Sequence, residues 1–505
     1  MAKRAAILWF RQDLRLHDNE ALADALSHGD EVLPVFIFDP RKFTGKTRKY
    51  GFPKIGSHRA KFIIESVADL RRNLRKRGSN LVIRIGKPEE VLPAITLELK
   101  ASWVYCNRER TEEELAVQDA VEQELWTIGR EIRYSRGKML YYTSDLPFPV
   151  TQTPDTFTQF RKEVERMVSV REPFPTPTRI QTMQLDGFDL GEIPALSDFG
   201  LEEPEYDDRA VTQFKGGETA ALERLEHYLW DTEAIATYKE TRNGLIGSDY
   251  SSKFSPWLAQ GCLSPKRIYQ EIKAFEEEKV ANDSTYWLIF ELLWRDFFRL
   301  MGKKHLNKIF LKGGPKEEID PSWREDHRLL DRWIAGSTGS PFIDANMREM
   351  AATGFMSNRG RQNVASYLVK DLKVNWQMGA EYFESILIDY DVTSNWGNWN
   401  YVAGIGSDPR ENRYFNILTQ ANRYDPEGEY VKLWCPELQG LPAELVHRPD
   451  QLRPAQQQEF GVKLGGHYPE ALVSSQKWMS SKNKKQGKRN GGRRRSRQGY
   501  SGTTR

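Results

Sequence analysis

The sequence predicts an α/β domain built on a doubly wound parallel sheet, followed by an all-α domain. Three observations carry this. Apolar, strand-like runs alternate with helical patterns through the first third of the chain. A Pro-rich stretch follows residue 146. Beyond about residue 215 the apolar spacing becomes helical, and most of the fourteen tryptophans lie past residue 200. A chain of 505 residues exceeds what one ordinary core organises, so more than one domain is expected.

The strand-like runs are "AAILWF" (5–10), "VLPVFIFD" (32–39), "LVIRIG" (81–86), "WVYCN" (103–107) and "IRYSR" (132–136). Between them lie segments such as 57–77, where Phe62, Ile63, Val67, Leu70 and Leu74 recur at helical spacing. Strands alternating with helices imply a parallel sheet covered on both faces. No GxGxxG follows the first strand. "FRQDLRLHDN" (10–19) stands there instead, which argues against the usual dinucleotide site. The α/β domain is placed at 1–146 and a connector at 147–215, where Pro147, Pro149, Pro154, Pro173, Pro175, Pro177, Pro194 and Pro204 cluster. A helical domain at 216–480 follows, with periodic segments at 216–239, 264–279, 284–301 and 361–373. A tail at 481–505 ends the chain.

Composition narrows the function classes. Hydrophobic residues make up 39% and charged residues 29%, as in globular proteins, and no run approaches the ~20 apolar residues of a membrane span. No signal or transit segment precedes the first apolar run. Three cysteines without CxxC spacing point to a reducing, cytoplasmic setting and to no metal site. The net charge of +3 hides an asymmetry: residues 482–505 carry ten Lys/Arg and no acid, so the remainder is net negative. That tail is too polar to bury a core and is expected to be disordered. It suits DNA or RNA phosphates through counterion release, or serves only solubility. A monomer is expected.

Several stretches could carry chemistry. "YSSKFSPWLAQGCLSP" (250–265) surrounds Lys253 with Ser251, Ser252 and Ser255 ahead of a helix. That set suits a phosphate or diphosphate, or Ser255 simply caps the helix before Pro256. "FELLWRDFFRL" (290–300) puts Glu291, Trp294 and Arg295 on one helical face, either to read a planar polar ligand or as an ordinary ion pair beside a core indole. "MSNRGRQNVASYLVKDL" (356–372) places Asn358, Arg359, Arg361 and Gln362 at a helix start. Arg361 there opposes the helix dipole and calls for an acidic or phosphate partner, with Asp389 a candidate. "IDYDVTSNWGNWNY" (388–401) combines paired carboxylates with large aromatics, a mixture that neither a core helix nor a solvent loop requires.

These motifs, in this order, resemble the photolyase/cryptochrome flavoproteins over about residues 5–450. The opening "LWFRQDLRLHDNEAL" (8–22) is similar to the start of that family. "GIGSDPRENRYFNILTQANRYDPEGEYVKLWCPEL" (404–438), with Gln362 and Tyr401, most resembles its cryptochrome DASH group. The resemblance implies FAD in the helical domain. Tyr238 and the segment Ser251, Ser252, Lys253, Phe254 and Ser255 would hold its ribityl and phosphate end. Asp389 and Asp391 would flank the flavin and adenine, Arg361 would pair with Asp389, and Asn395 would face the flavin N5. Trp399, Trp376 and Trp323 would relay electrons to the surface. Glu291 would hydrogen-bond a pyrimidine dimer, Trp294 would pack on the bases, and Arg242, Arg295, Asn358 and Arg359 would hold the DNA. Gln362 and Tyr401 would line the same pocket. An amide at Asn395 does not titrate, so the anionic reduced flavin FADH⁻ is the expected working form.

Where duplex-repairing relatives carry methionine and tryptophan, this chain has Gln362 and Tyr401. The wall is smaller and more polar. Flipping a dimer out of a duplex costs energy that a single strand does not require. Repair of cyclobutane dimers mainly in single-stranded DNA is therefore expected. The alternative is a blue-light photoreceptor that binds DNA and regulates transcription. The family also implies a 5,10-methenyltetrahydrofolate antenna, for which Glu112 and Glu113 in "RERTEEE" (108–114) are the candidates.

Overall fold

β1 (Ala5–Phe10) is apolar at every position, and all but its first residue are buried. Such a strand belongs inside a sheet covered on both faces. It is flanked by β2 (Glu31–Phe38) and β4 (Trp103–Asn107). β3 (Val82–Ile85) and β5 (Glu131–Ser135) complete an all-parallel sheet of order β3-β2-β1-β4-β5. Ile7 lies opposite both Leu33 and Val104. The structure is a computed structural model and describes residues 4–183, 185, 187–407 and 413–479. The basic tail expected to bind nucleic acid lies outside the described residues.

The α-helices among the described residues are α1 (Glu20–His28), α2 (Pro40–Phe43), α3 (Ser57–Arg75), α4 (Pro88–Glu98), α5 (Glu112–Thr127), α6 (Phe157–Met167), α7 (Glu218–Glu226), α8 (Tyr238–Thr241), α9 (Ser255–Gln260), α10 (Pro265–Glu278), α11 (Asp283–His305), α12 (His327–Ile334), α13 (Pro341–Thr353), α14 (Asn358–Ser366), α15 (Trp376–Ile386), α16 (Val392–Ala403), α17 (Ile417–Tyr424), α18 (Glu429–Trp434), α19 (Ala443–Val446) and α20 (Pro454–Glu459). Side chains on β1 alternate between two cores. Ala6, Leu8 and Phe10 pack with Phe62, Val67 and Leu70 of α3. Ile7 and Trp9 pack with Leu92 and Ile95 of α4 and Val121 and Leu125 of α5. This period-2 split makes the sheet doubly wound.

The chain packs as two compact units. Among the described residues, one holds 4–323, 350–355 and 375–413, and the other holds 324–349, 356–374 and 414–479. Within the first, the segment after β1 docks the sheet onto helices. Glu218 of α7 accepts the Leu16 and His17 amides at 3.0 and 2.9 Å, and the His17 ring at 2.5 Å. Arg15 donates to the Gly261 and Gly137 carbonyls at 2.9 and 3.0 Å, and Lys266 pairs with Asp18 at 2.6 Å. All of these groups are buried, so each charge needs its partner. "FRQDLRLHDN" thus serves the packing of sheet on helices.

Two predicted segments differ in detail. The helix expected over 216–239 breaks: α7 passes into a π-turn at His227–Asp231, and Glu233 adopts a left-handed conformation (φ 50°) before a short 3-10 turn and α8. The Pro-rich stretch contains α6, whose Phe157, Phe160 and Val164 are buried. Their i, i+3, i+7 spacing is helical and sits between two proline clusters.

Candidate functional site

α11 begins with a reciprocal cap: Asn282 accepts from the Ser284 and Thr285 amides at 2.8 and 3.1 Å, while Thr285 Oγ accepts from the Asn282 amide at 3.1 Å. Ser284 Oγ then accepts the Lys239 amide at 3.0 Å and donates to Glu240 at 2.8 Å, which pins α8 to the first turn of α11. The pinning delivers Arg242 to Glu291 at 2.8 Å, with its guanidinium 5.7 Å from the Tyr238 ring centre and 6.0 Å from that of Trp287. Burial pushes the Glu291 carboxyl up, and Arg242 pulls it part of the way back. Tyr238, Arg242 and Glu291, expected in separate roles, form one corner.

The 248–255 loop is built around Arg224. Its guanidinium donates to the carbonyls of Ser252 (3.0 Å), Ser248 (3.1 Å) and Ser251 (3.2 Å) and to Asp249 (2.7 Å). The loop carbonyls are thereby committed to one side. Lys253, 3% exposed, sits at φ 59°, a left-handed conformation uncommon for a residue with a side chain. Its ammonium lies over the Tyr250 ring and 3.2 Å from Ser251 Oγ. A buried cation set among serine hydroxyls is a donor set that fits a diphosphate. Ser255 is exposed and is the first residue of α9, whose start has no side-chain cap. The capping reading of Ser255 is therefore not realised.

On α11, Trp294 lies flat against Phe157 of α6, with ring centres 3.8 Å apart and planes 8° apart, and meets Tyr401 edge-on at 6.1 Å and 88°. Arg295 does not join Glu291 and Trp294 as a ligand-reading group. Its half-buried guanidinium donates to the carbonyls of Lys138 (2.8 Å) and Leu258 (3.2 Å), and desolvation lowers its pKa to about 10. Asp296 accepts the Leu140 and Tyr141 amides at 3.1 and 2.9 Å, and burial raises its carboxyl to about 6. Both residues hold the chain that leaves the sheet.

The 388–401 stretch spans the turn into α16. Asp389 is buried. Asp391 caps α16 by accepting the Ser394 amide at 2.8 Å, and it pairs with Arg299 at 3.3 Å. Burial opposes its charge, yet Arg299, Arg295 and Ser394 hold the carboxyl down at about 2. Asn395 donates its amide to the Ala380 carbonyl at 3.1 Å. Trp399 packs on Phe383 at 5.1 Å, and Trp376 donates to the Lys312 carbonyl at 3.0 Å. Trp323 is 5% exposed, with an indole N–H that makes no hydrogen bond. Trp396, not singled out in the sequence, meets Trp376 edge-on at 5.6 Å and 81°. Its place three residues before Trp399 on a helix was the available signal.

In the second unit, Ser357 caps α14 by accepting the Gly360 amide at 3.0 Å. Asn358 is exposed at the first helical position. Arg359 donates to Gln362 at 2.8 Å and lies over the Tyr424 ring at 4.7 Å; Arg361 donates to the Met356 carbonyl at 2.9 Å. Arg361 and Asp389 fall in different units.

The antenna candidates are surface groups. Glu112 pairs with Arg48 at 3.1 Å, and Glu113 pairs with Lys54 and, at 3.6 Å, with Arg48. Of the other acids of that segment, Glu109 is buried and Glu114 is half-buried. They line a cavity with Gln12, Arg110, Arg299 and Asp391, beyond the carboxyl ends of β1 and β4. Burial opposes charge on Glu109, yet Lys138, Arg11 and Arg299 hold its carboxyl at about 2. β1 is the strand where the winding reverses, which is where doubly wound sheets bind ligands.

Comparison with known proteins agrees with this architecture. Residues 6–178 match the family described as DNA photolyase, and residues 287–487 match the FAD binding domain of DNA photolyase. The chain is 52% identical to a cryptochrome DASH of Gloeobacter violaceus over 473 residues, 94% of each chain. It is 49% identical to a cryptochrome DASH of Xenopus laevis, over 95% of this chain and 92% of that one. The solved structure of a Synechocystis cryptochrome matches with a TM-score of 0.91 at 47% identity, covering 96% of this chain and 99% of that one. A class III photolyase from Agrobacterium tumefaciens matches at 0.81 and 29% identity, over 95% and 96%. A sheet doubly wound as in these proteins, a helical FAD-binding part and identity near one half along almost the whole chain lead to one conclusion: the chain belongs to the cryptochrome DASH group of the photolyase/cryptochrome flavoproteins.

Proposed function

We propose that this flavoprotein repairs cyclobutane pyrimidine dimers in light, mainly in single-stranded DNA. The observation that carries the reading is the aromatic wall, where Trp294 is stacked on Phe157 and met edge-on by the phenol of Tyr401. Such a wall accepts a base by stacking. A phenol offers less ring surface than an indole, so an extruded dimer gains less there, and the cost of extrusion selects for single strands. When bound, the reduced FAD supplies one electron to the dimer under light and takes it back.

The chain's own residues bind and orient. Lys253, Ser251 and Ser252 hold the diphosphate, with Arg224 fixing the loop from behind. Tyr238 and Phe254 close the ribityl side, Asp389 and Asp391 hold the flavin and adenine, and Asn395 faces the ring without a titratable proton. Trp399, Trp376 and Trp323 form the electron relay. Glu291 and Arg242 present a carboxylate–guanidinium pair to the dimer and its phosphate. We place a methenyltetrahydrofolate antenna near the 108–114 segment, with Glu109 and Glu114 in place of the surface residues Glu112 and Glu113. No helix among the described residues is long and apolar enough to cross a membrane. The three cysteines are free and buried, which accords with a reducing, cytoplasmic setting.

A photoreceptor that binds DNA and regulates transcription is the second reading. It is favoured by Glu291 already being engaged by Arg242. One assay separates the two: light-dependent repair of a thymine dimer placed in a single strand, a loop and a duplex. Repair is expected in the first two and little in the third. Absence of repair in all three, with flavin bound, leaves the photoreceptor.

A further inference from the structure

Trp396, Tyr390 and Glu384 form a chain of contacts that none of the roles above uses. Trp396 is three residues from Trp399 on α16 and edge-on to Trp376, so it adjoins both members of the first relay step. Its indole N–H donates to the Tyr390 hydroxyl oxygen at 3.3 Å. The Tyr390 hydroxyl in turn donates to the Glu384 carboxylate at 2.9 Å. The Arg59 guanidinium lies over the Tyr390 ring, 4.9 Å from its centre, and is anchored by the Glu384 and Leu387 carbonyls at 2.6 and 2.9 Å. Lys54 and Glu113 are the other charged groups acting on Glu384.

We infer that Tyr390 is a terminal electron donor on a side branch of the tryptophan relay, with Glu384 as the acceptor of its proton. The inference rests on the relay reading proposed above. When photoexcited flavin has removed one electron from the relay, Trp396 passes an electron to the oxidised Trp376. Tyr390 then gives one electron to Trp396 and its hydroxyl proton to Glu384. The products are two restored indoles, a neutral tyrosyl radical and a protonated Glu384. One electron and one proton leave Tyr390, and charge balances because the positive indole and the negative carboxylate are both neutralised.

The surroundings require the two transfers to be linked. A positive charge left on the phenol would face the buried, poorly screened guanidinium of Arg59. Loss of the proton to a hydrogen-bonded carboxylate removes that charge. The Tyr390 hydroxyl is held in the required orientation before any electron moves, accepting from Trp396 on one side and donating to Glu384 on the other. The branch ends on a neutral radical and slows charge return, because the proton must come back with the electron.

The test is electron paramagnetic resonance of the FAD-loaded, flavin-oxidised protein after blue light, with ring-deuterated tyrosine incorporated. A signal narrowed by deuteration is expected beside the tryptophan signal. Tyr390→Phe and Trp396→Phe should abolish it and leave tryptophan radicals. Glu384→Gln should lower it at least tenfold, with Glu384→Asp restoring part, and Trp323→Phe should leave it intact. A deuteration-insensitive spectrum, or a tyrosyl signal that survives Tyr390→Phe, overturns the inference. A ruthenium(III) oxidant generated by flash-quench oxidises the same indoles without exciting flavin. If it yields the Tyr390 radical and blue light does not, the relay reading fails while the branch stands; if neither does, the branch fails.

Discussion

Trp294 is held flat on Phe157 at 3.8 Å and edge-on to Tyr401 at 6.1 Å, so three aromatic rings from three helices form one wall. The only hydroxyl in that wall is on Tyr401. Tyr401→Trp, combined with Gln362→Met, replaces the phenol with a larger ring and an amide with a thioether. An added aromatic contact contributes ~0.5–1.5 kcal/mol, so duplex repair should rise roughly two- to tenfold while single-strand repair changes little. The measurement is the ratio of light-dependent repair rates on duplex and single strand. An unchanged ratio would show that the wall does not set the preference.

The four donations from Arg224 to the 248–252 segment make it the support of the proposed diphosphate loop. Arg224→Ala leaves three carbonyls and Asp249 without that partner and should release Lys253 from its left-handed conformation. The expected result is at least a tenfold loss in FAD affinity with the far-ultraviolet dichroism retained. Arg224→Lys should recover only part, because an ammonium cannot reproduce the planar fork. Flavin retention at wild-type affinity in Arg224→Ala would remove the loop from the cofactor site.

What could be read from the sequence divides along physical lines. All five strands were legible: β1, β2 and β4 are short, nearly continuous apolar runs, as buried parallel strands are, while the edge strands β3 and β5 mix apolar and polar residues over four or five positions. α6 was not, since prolines on both sides read as a connector. On α11 the i, i+4 spacing correctly set Glu291 and Arg295 one turn apart, but spacing does not say what each side chain meets. Arg242, far away in sequence, takes Glu291, and two backbone carbonyls take Arg295. The cavity acids show the same limit. Glu109 and Glu114 differ from Glu112 and Glu113 in lining the cavity, and which acids of one short segment do so is a property of the folded chain.

Asp391 gives a pH prediction with a definite sign. Its carboxyl lies at about 2 in the folded protein, against 3.8 when unperturbed, chiefly because Arg299 and Arg295 outweigh burial. A lowered carboxylate pKa stabilises the fold fully above the unfolded value, and that contribution is lost as pH falls from about 4 toward 2. The effect is roughly 2 kcal/mol. Asp391→Asn should lower the urea midpoint at pH 7 and flatten the acid limb between pH 4 and 2, where Glu109, also at about 2, continues to contribute. Parallel stability curves for wild type and variant would show that the Arg299 pair contributes nothing to acid stability.

Asn395 donates to the Ala380 carbonyl at 3.1 Å, and this bond fixes what a carboxyl there would do. Asn395→Asp removes the donor and sets two oxygens against each other. The repulsion disappears only when the new carboxyl is protonated and donates to Ala380, so its pKa should rise above the ordinary carboxylate range. The site would then hold a proton beside the proposed flavin ring that the amide does not release. The visible spectrum of the illuminated variant should vary with pH through that ionisation, while that of the wild type stays constant over the same range. A difference infrared spectrum should show the carboxyl C=O band appearing with the same midpoint. A pH-independent spectrum in the variant, with the infrared band present, would place Asn395 away from the flavin. The absence of the band would show that the Ala380 carbonyl does not govern this position.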